Sequence, residues 1–403
     1  MKKLSVGNSI SILVLIIFFV LTIVLEQFIA PTDRMNMLLV CLRQGSIFAL
    51  LAVAMNLLNG FTGLFSLGHA GFMLIGATTY ALFSMPLAER SIVFTWFSDS
   101  YVIRISFPEV LGNLLGGPGM IIGMLISIIL AGLVTAAFAF LVGLPVLRMR
   151  SDYLAIATLG FAEIIRAIIM WQGLGPVTNA GNPLRSFTRT ADLNVTIGGQ
   201  TFGLITFTLA FLSAVCIFII FLLVTSSYGR AFKAIREDEI AAEAMGINLF
   251  KHKQLSFCIS SFFVGVGGAL LAIFMGTVAP LQFRAAMTYE FLLIVVLGGI
   301  GSITGSIVGA MLFVFASMWW LRGLDSGTFL GLDRITIFGV NLGERVFVSG
   351  FRMVVFSVII MCIVLFFRRG LCGDKELPYY VNKLRELIAR KSKPKPEAGG
   401  ADA

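Results

Sequence analysis

Two histidines, His69 and His252, and five cysteines, Cys41, Cys216, Cys258, Cys362 and Cys372, are the residues that would serve a metal centre, a thiol couple or a nucleophilic site. Their spacing supports none of these. No two cysteines form a C-x-x-C pair, and most lie in apolar runs where a small, polarisable side chain fills space. With two widely separated histidines this argues against a metal site, disulfides and a metalloenzyme. The glycine-rich run Gly298-Gly-Ile-Gly-Ser-Ile-Thr-Gly has the composition of a phosphate cradle, but it has no lysine and lies in an apolar block. The chain contains no G-x-x-x-x-G-K-[ST], so it has no P-loop through which to bind ATP.

Charges inside apolar stretches are the next candidates, because each needs a partner in lipid. Glu163 and Arg166 are spaced i,i+3 on one predicted helix. They read either as a local pair that neutralises itself or as a proton relay. Arg43 and Glu290 fall where a long side chain can snorkel to the interface. The run Asn59-Gly-Phe-Thr-Gly-Leu-Phe-Ser-Leu-Gly-His-Ala-Gly-Phe sets Gly60, Gly63, Gly68 and Gly71 among polar Asn59, Thr62, Ser66 and His69. Small residues let helices approach or bend, and the polar side chains can satisfy the backbone groups that bending releases. Two readings stand: Gly63, Ser66, Gly68 and His69 line a solute path, or they are tight helix packing with a satisfied buried histidine.

The elements that must hold these residues follow from composition. The 403-residue chain is 58% hydrophobic and 13% charged, with mean hydropathy +0.96. Ordinary soluble domains are about 25% charged, so the missing polar surface must face lipid. The fold class is all-α, a polytopic transmembrane helical bundle of about 9–10 membrane segments. The net charge of +9 reads as basic residues on untranslocated loops rather than as a nucleic-acid surface. Spans are predicted at 10–25, 36–58, 64–85, 120–147, 153–172, 203–225, 255–279 and 350–367, with a longer apolar block at 290–321. The first is read as a retained helix, because no A-x-A-like site follows it.

Sidedness tests this division. With Lys2 and Lys3 in the cytoplasm, the turn at Arg148 and Arg150 and the 226–254 loop fall inside, and the 86–119 and 173–202 loops fall outside. The tail after residue 367, with Arg368, Arg369, Lys375, Lys383 and further basic residues, also belongs inside. A single crossing by 290–321 would put it outside. The conflict disappears if that block enters and leaves by one face, breaking at Gly298, Gly299 and Gly301. Such a break is tolerated only against protein or a water-filled path, so a re-entrant or broken element near 298–302 is expected beside the translocation route. Residues 377–390 read as a short amphipathic helix on the inner surface, and the polar end as disordered.

The 226–254 loop is the one long polar segment between inner ends of spans. Ala231, Phe232, Ile235, Ile240, Ala244 and Ile247 recur at helical spacings, the acidic Glu237, Asp238 and Glu239 favour a helix start, and Gly246 favours an end. Two short helices outside the membrane are expected.

Ala241-Ala242, three residues, then Gly246 resembles the coupling loop of bacterial ATP-binding cassette (ABC) importer permeases, whose pattern is Glu-Ala-Ala, three residues, Gly. Here Ile240 stands in the Glu position, and Glu239 comes one earlier. Three further blocks follow the same order: the Asn59 run above, Asp152-Tyr-Leu-Ala-Ile-Ala-Thr-Leu-Gly-Phe-Ala-Glu-Ile-Ile-Arg, and Leu297-Gly-Gly-Ile-Gly-Ser-Ile-Thr-Gly-Ser-Ile-Val-Gly-Ala. Together they resemble the M-type permease subunit of high-affinity branched-chain amino acid ABC importers over roughly 36–367. The resemblance divides the chain into an N-terminal helix and link (1–35), a permease domain (36–367) with the coupling loop 226–254, and a basic cytoplasmic tail (368–403). It implies a multi-pass subunit of the cell inner membrane that pairs with a second permease, two cytoplasmic ABC ATPases and an external substrate-binding protein. ATP and Mg²⁺ sit on the ATPases, and this chain binds no cofactor. It assigns ATPase coupling to Glu239, Ala241, Ala242 and Gly246.

Three function classes remain in view. The first is half of the path for leucine, isoleucine and valine, or for urea or short amides in a related importer. An ion-coupled secondary transporter would want central carboxylates and inverted repeats, and only Glu163 answers to that. A membrane enzyme would need a nucleophile or acid–base pair at an interface, which scattered carboxylates do not supply.

Overall fold

Long apolar runs oblige the backbone to satisfy its own hydrogen bonds in lipid, and an α-helix does so within one segment. The computed structural model describes residues 33–97, 102–149, 151–189, 195–197, 200–202, 205–320, 336–337 and 340–341, with isolated positions from 355 to 370. α1 (Asp33–Asn56) runs on into a π-helical turn, Leu57–Phe61, and is followed by α2 (His69–Ser84) and the short α3 (Leu87–Val93) and α4 (Phe107–Leu115). Next come α5 (Gly117–Val146), α6 (Ser151–Met170), α7 (Gly175–Thr178) and α8 (Ile205–Thr225). α9 (Ser227–Glu237), α10 (Glu239–Ala244), α11 (Leu249–Met275), α12 (Ala285–Gly298) and α13 (Ile303–Phe315) complete the helices. There are two small antiparallel hairpins, β1 (Val195–Ile197) with β2 (Gln200–Phe202) in the 173–202 loop expected outside, and β3 (Thr336–Ile337) with β4 (Val340–Asn341). The architecture is an all-α polytopic bundle.

Five stretches are long and apolar enough to cross a membrane: Met37–Phe61, Gly117–Val146, Tyr153–Met170, Ile205–Thr225 and Leu249–Met275. α12 and the helix after it form a sixth among the described residues if counted as one span, but they are bent by 119° at the break. A turn of more than a right angle sends the chain back, so the apolar block breaks at 299–302 as its glycines predict. The expected span 10–25, the amphipathic helix expected at 377–390 and the polar end expected to be disordered lie outside the described residues. Within 350–367 only Val355, Ser357, Val358, Met361 and Leu365 are described, each helical.

The centre of the bundle is α1 and α11, with 67% and 78% of their membrane-length windows buried, against 33%, 28% and 28% for α5, α6 and α8. Glycine permits the closest of these contacts. A Cβ on Gly76 of α2 would stand 2.6 Å from Gly265 Cα, and one on Gly268 of α11 would stand 3.0 Å from Met73 Cα. Backbones this close gain dispersion contact that larger residues would prevent. The other faces of α5 and α8 expose Leu133, Leu141, Phe218 and Leu222, as surfaces against lipid or another subunit do.

The expected helix over 64–85 is corrected at its start. Residues 63–68 carry no regular structure, and α2 begins only at His69. Gly63 has φ +77°, a left-handed conformation that interrupts the helix, and the freed groups are taken up by side chains. The Leu67 N–H donates to Thr158 Oγ1 at 3.0 Å, and the Ser66 N–H donates to Asn59 Oδ1 at 3.2 Å. α2 has sixteen residues, about 24 Å of helix against about 30 Å of hydrocarbon, so the irregular segment supplies the rest of the depth.

Candidate coupling and translocation site

The polar loop folds as the two short helices its sequence predicts. Phe232 and Ile235 of α9 are buried against the bundle, and Lys233 Nζ lies 5.5 Å from the centre of the Phe61 ring in the π-turn. Asp238 divides the helices: its Oδ1 accepts from the N–H groups of Ile240 at 2.8 Å and Ala241 at 3.0 Å, capping α10. Gly246, at φ +87°, turns the chain out, with its N–H on Glu243 O and the Ile247 N–H on Ala242 O. Asn248 then caps α11 through the Lys251 N–H at 3.0 Å.

The residues assigned to coupling divide by role. Glu239 Oε2 pairs with Lys253 Nζ of α11 at 2.6 Å, which ties α10 to the bundle. Ala242 is buried within its own subunit, so its smallness serves the seating of α10. Ala241 and Gly246 face solvent. Among the exposed acidic residues of the hairpin, two large apolar side chains point outward, Ile240 83% and Met245 84% exposed. Sequence reasoning placed Ile240 at a helical spacing and as a departure from a motif, not as an exposed tip, and passed over Met245. The signal for both was large apolar side chains in an otherwise charged helical pair.

Behind the hairpin two chain breaks meet. Asn56, wholly buried at the end of α1, donates through Nδ2 to Ser302 O at 2.9 Å and Ser306 Oγ at 2.8 Å, and its Oδ1 accepts from the Gly301 N–H at 2.9 Å. One amide therefore joins the π-turn side to the 299–302 break. Arg236, at the end of α9, donates through Nη1 to Gly60 O at 2.8 Å. A Cβ on Gly301 would stand 2.7 Å from that same nitrogen. Gly370, just past the last predicted span, packs on Gly299: a Cβ there would lie 2.6 Å from Gly299 Cα. Gly298 meets Gly305 backbone to backbone. The glycines 298, 299 and 301 thus share one end of the bundle with the coupling hairpin.

Of the other predicted path residues, Gly63 is exposed and packs on Arg236 of the hairpin, Ser66 Oγ accepts from the Gly68 N–H at 3.4 Å, and Gly68 sits against Thr158. His69 is 4% exposed, and its Nδ1 has no hydrogen-bond partner among the described residues. It is buried, as packing would have it, yet not fully satisfied. The following Ala70 N–H donates to Thr288 Oγ1 of α12 at 3.0 Å. Glu163 and Arg166 of α6 form an ion pair through Glu163 Oε2, as their spacing allows. Arg43 Nε donates to Thr206 Oγ1 of α8 at 2.7 Å, a partner inside the bundle rather than snorkelling alone. Among the described residues no three of His, Cys, Asp and Glu gather as a metal ion would require.

A family model described as branched-chain amino acid transport system / permease component matches residues 37–367. The high-affinity branched-chain amino acid transport system permease protein LivM of Salmonella typhimurium is 33% identical over 289 residues, covering 66% of this chain and 60% of that protein. LivM of Escherichia coli K12 is 33% identical over 290 residues, with the same 66% and 60% coverage. The E. coli K12 permease protein LivH of the same named system is 38% identical over 92 residues, 23% of this chain and 29% of that protein. The match spans about 60% of the length of the two LivM relatives. No solved structure matches the chain. Family match and helical bundle together make this a multi-pass membrane protein, and the chain belongs to the family of branched-chain amino acid transport system permease components.

Proposed function

We propose that the chain is the permease subunit of an ATP-driven importer in the cell inner membrane, forming half of the translocation path for leucine, isoleucine and valine. It works with a second permease, two cytoplasmic ABC ATPases and an external substrate-binding protein. It catalyses no reaction of its own: the ATPases bind ATP and Mg²⁺ and supply the energy.

The observation that carries this reading is the α9–α10 hairpin. It is capped at Asp238, tied down through Glu239 and Lys253, and rooted by Phe232 and Ile235, yet it turns Ile240 and Met245 almost wholly outward. An apolar tip on a charged, rigid loop is what a cytoplasmic partner with an apolar cleft would take up. Closure of two such ATPases on ATP would then rock the attached helices as rigid bodies. The path residues suit an amino acid zwitterion, which needs aliphatic walls and a few dipoles for its ends.

Purification of the full chain from native membranes tests this. The expected result is recovery of two ATPases and a second permease, with leucine uptake that stops when the ATPases are deleted. Uptake that survives their loss and collapses with the ion gradient would replace the importer with a secondary transporter.

A further inference from the structure

Arg236 is the residue of the hairpin that reaches both chain breaks. Its Nη1 bonds the carbonyl of Gly60 at 2.8 Å, inside the π-helical turn, and lies where Gly301 leaves no room for a side chain. Its stem lies over Gly63: a Cβ at that glycine would stand 3.1 Å from Arg236 Cγ and 3.3 Å from its Cα and Cβ. Asn56 fastens the first break to the second with two hydrogen bonds and to Ser306 of α13 with a third.

These contacts form a short mechanical chain. A π-turn holds its backbone less regularly than an α-helix, and such turns concentrate at functional positions. The Gly60 carbonyl bonded by Arg236 belongs to that turn. A charge-assisted hydrogen bond to a carbonyl is short and directional, so displacement of α9 pulls on backbone and not only on side chains. Through Asn56 the pull is shared with the 299–302 break, where α12 and α13 reverse direction. Lys233 over the Phe61 ring is a second contact to the same turn, but it bears on a side chain face.

We propose that Arg236 is a positioning residue for transport, transmitting movement of the coupling hairpin to the paired breaks at 57–68 and 299–302, which together act as the inner end of the solute path. The inference rests on the importer reading above and adds the route by which the hairpin acts. Arg236 touches neither solute nor nucleotide in this scheme, and its loss uncouples rather than disassembles. Its side chain is 35% exposed, so its replacement leaves the core intact.

The test reconstitutes the whole assembly in proteoliposomes with its external binding protein and measures radiolabelled leucine uptake and ATP hydrolysis together. Arg236→Met keeps an unbranched stem over Gly63 and removes the guanidinium. It is expected to retain the ATPases at wild-type yield and hydrolyse ATP within twofold of wild type. Leucine carried per ATP should fall at least tenfold. Arg236→Lys, which keeps the charge on one donor nitrogen but not the planar fork, should fall between the two. A ratio for Arg236→Met within twofold of wild type overturns the inference, as does loss of the ATPases in proportion to loss of uptake. A wild-type chain that captures no ATPases overturns the importer reading and this inference together. A wild-type assembly that captures them, beside a coupled Arg236→Met, overturns this inference alone.

Discussion

Asn56 shows what one buried amide does in a membrane bundle. All of its side-chain polar atoms are engaged, and its partners lie on the glycine break and in the first turn of α13, some 245–250 residues further along the chain. Replacing it by Ala leaves the Gly301 N–H without that partner, at a cost of about 1–3 kcal/mol for the group left unpaired, while the Ser302 carbonyl keeps the N–H and hydroxyl of Ser306. We predict a lower midpoint for Asn56→Ala in a thermal melt of the detergent-solubilised protein. Asn56→Gln, a methylene longer, should not restore it, because Gly60 already sits against the Asn56 carboxamide. This residue was not legible in the sequence: a single Asn at the end of an apolar span has no local signature, and its partners are set by tertiary packing alone. The Glu163–Arg166 pair was legible, because both partners lie within one helical turn.

At the scale of elements, the coupling hairpin was the most readable part of the chain. Its acidic cap, its glycine exit and its apolar spacing are local features, and local chemistry fixes them. Which alanine would be buried was not readable, since that depends on how α10 lies against α11. Gly246→Val forces a β-branched residue into φ +87°, where only strain opposes it because no atom lies within 4 Å of the added Cβ. That strain is on the order of 1–2 kcal/mol. Ala242→Trp instead has no room, and it should unseat α10. Both variants are expected to insert in the membrane at wild-type amounts while leucine uptake slows. Normal ATPase recovery together with normal uptake in both would remove α10 from the mechanism. The glycine break at 298–302 was readable from composition and from the charge conflict that a straight helix creates. The irregular 62–68 segment was not, because its apolar residues alternate with glycine much as a packed helix does.

At the scale of the whole molecule, sidedness is a prediction that single cysteines can check. In a background with the five native cysteines replaced, Met245→Cys should react with an impermeant maleimide only from the cytoplasmic side, and binding of the ATPases should protect it. Trp96→Cys, at a position 82% exposed in the loop expected outside, should react only from the opposite side. Labelling of both from one face would invert the topology. The bundle also has a history written into its connectivity. α11 is its central pillar and packs on α1, α2 and α5 through contacts that no earlier helix replaces. It follows all three of them in the chain. Until it is made, Gly76 of α2 and Gly132 of α5 lack the α11 residues they pack on, and quality-control proteases are expected to act on such an incomplete bundle. A nascent chain stalled before Leu249 is therefore expected to be degraded in a pulse–chase rather than to persist as a smaller permease.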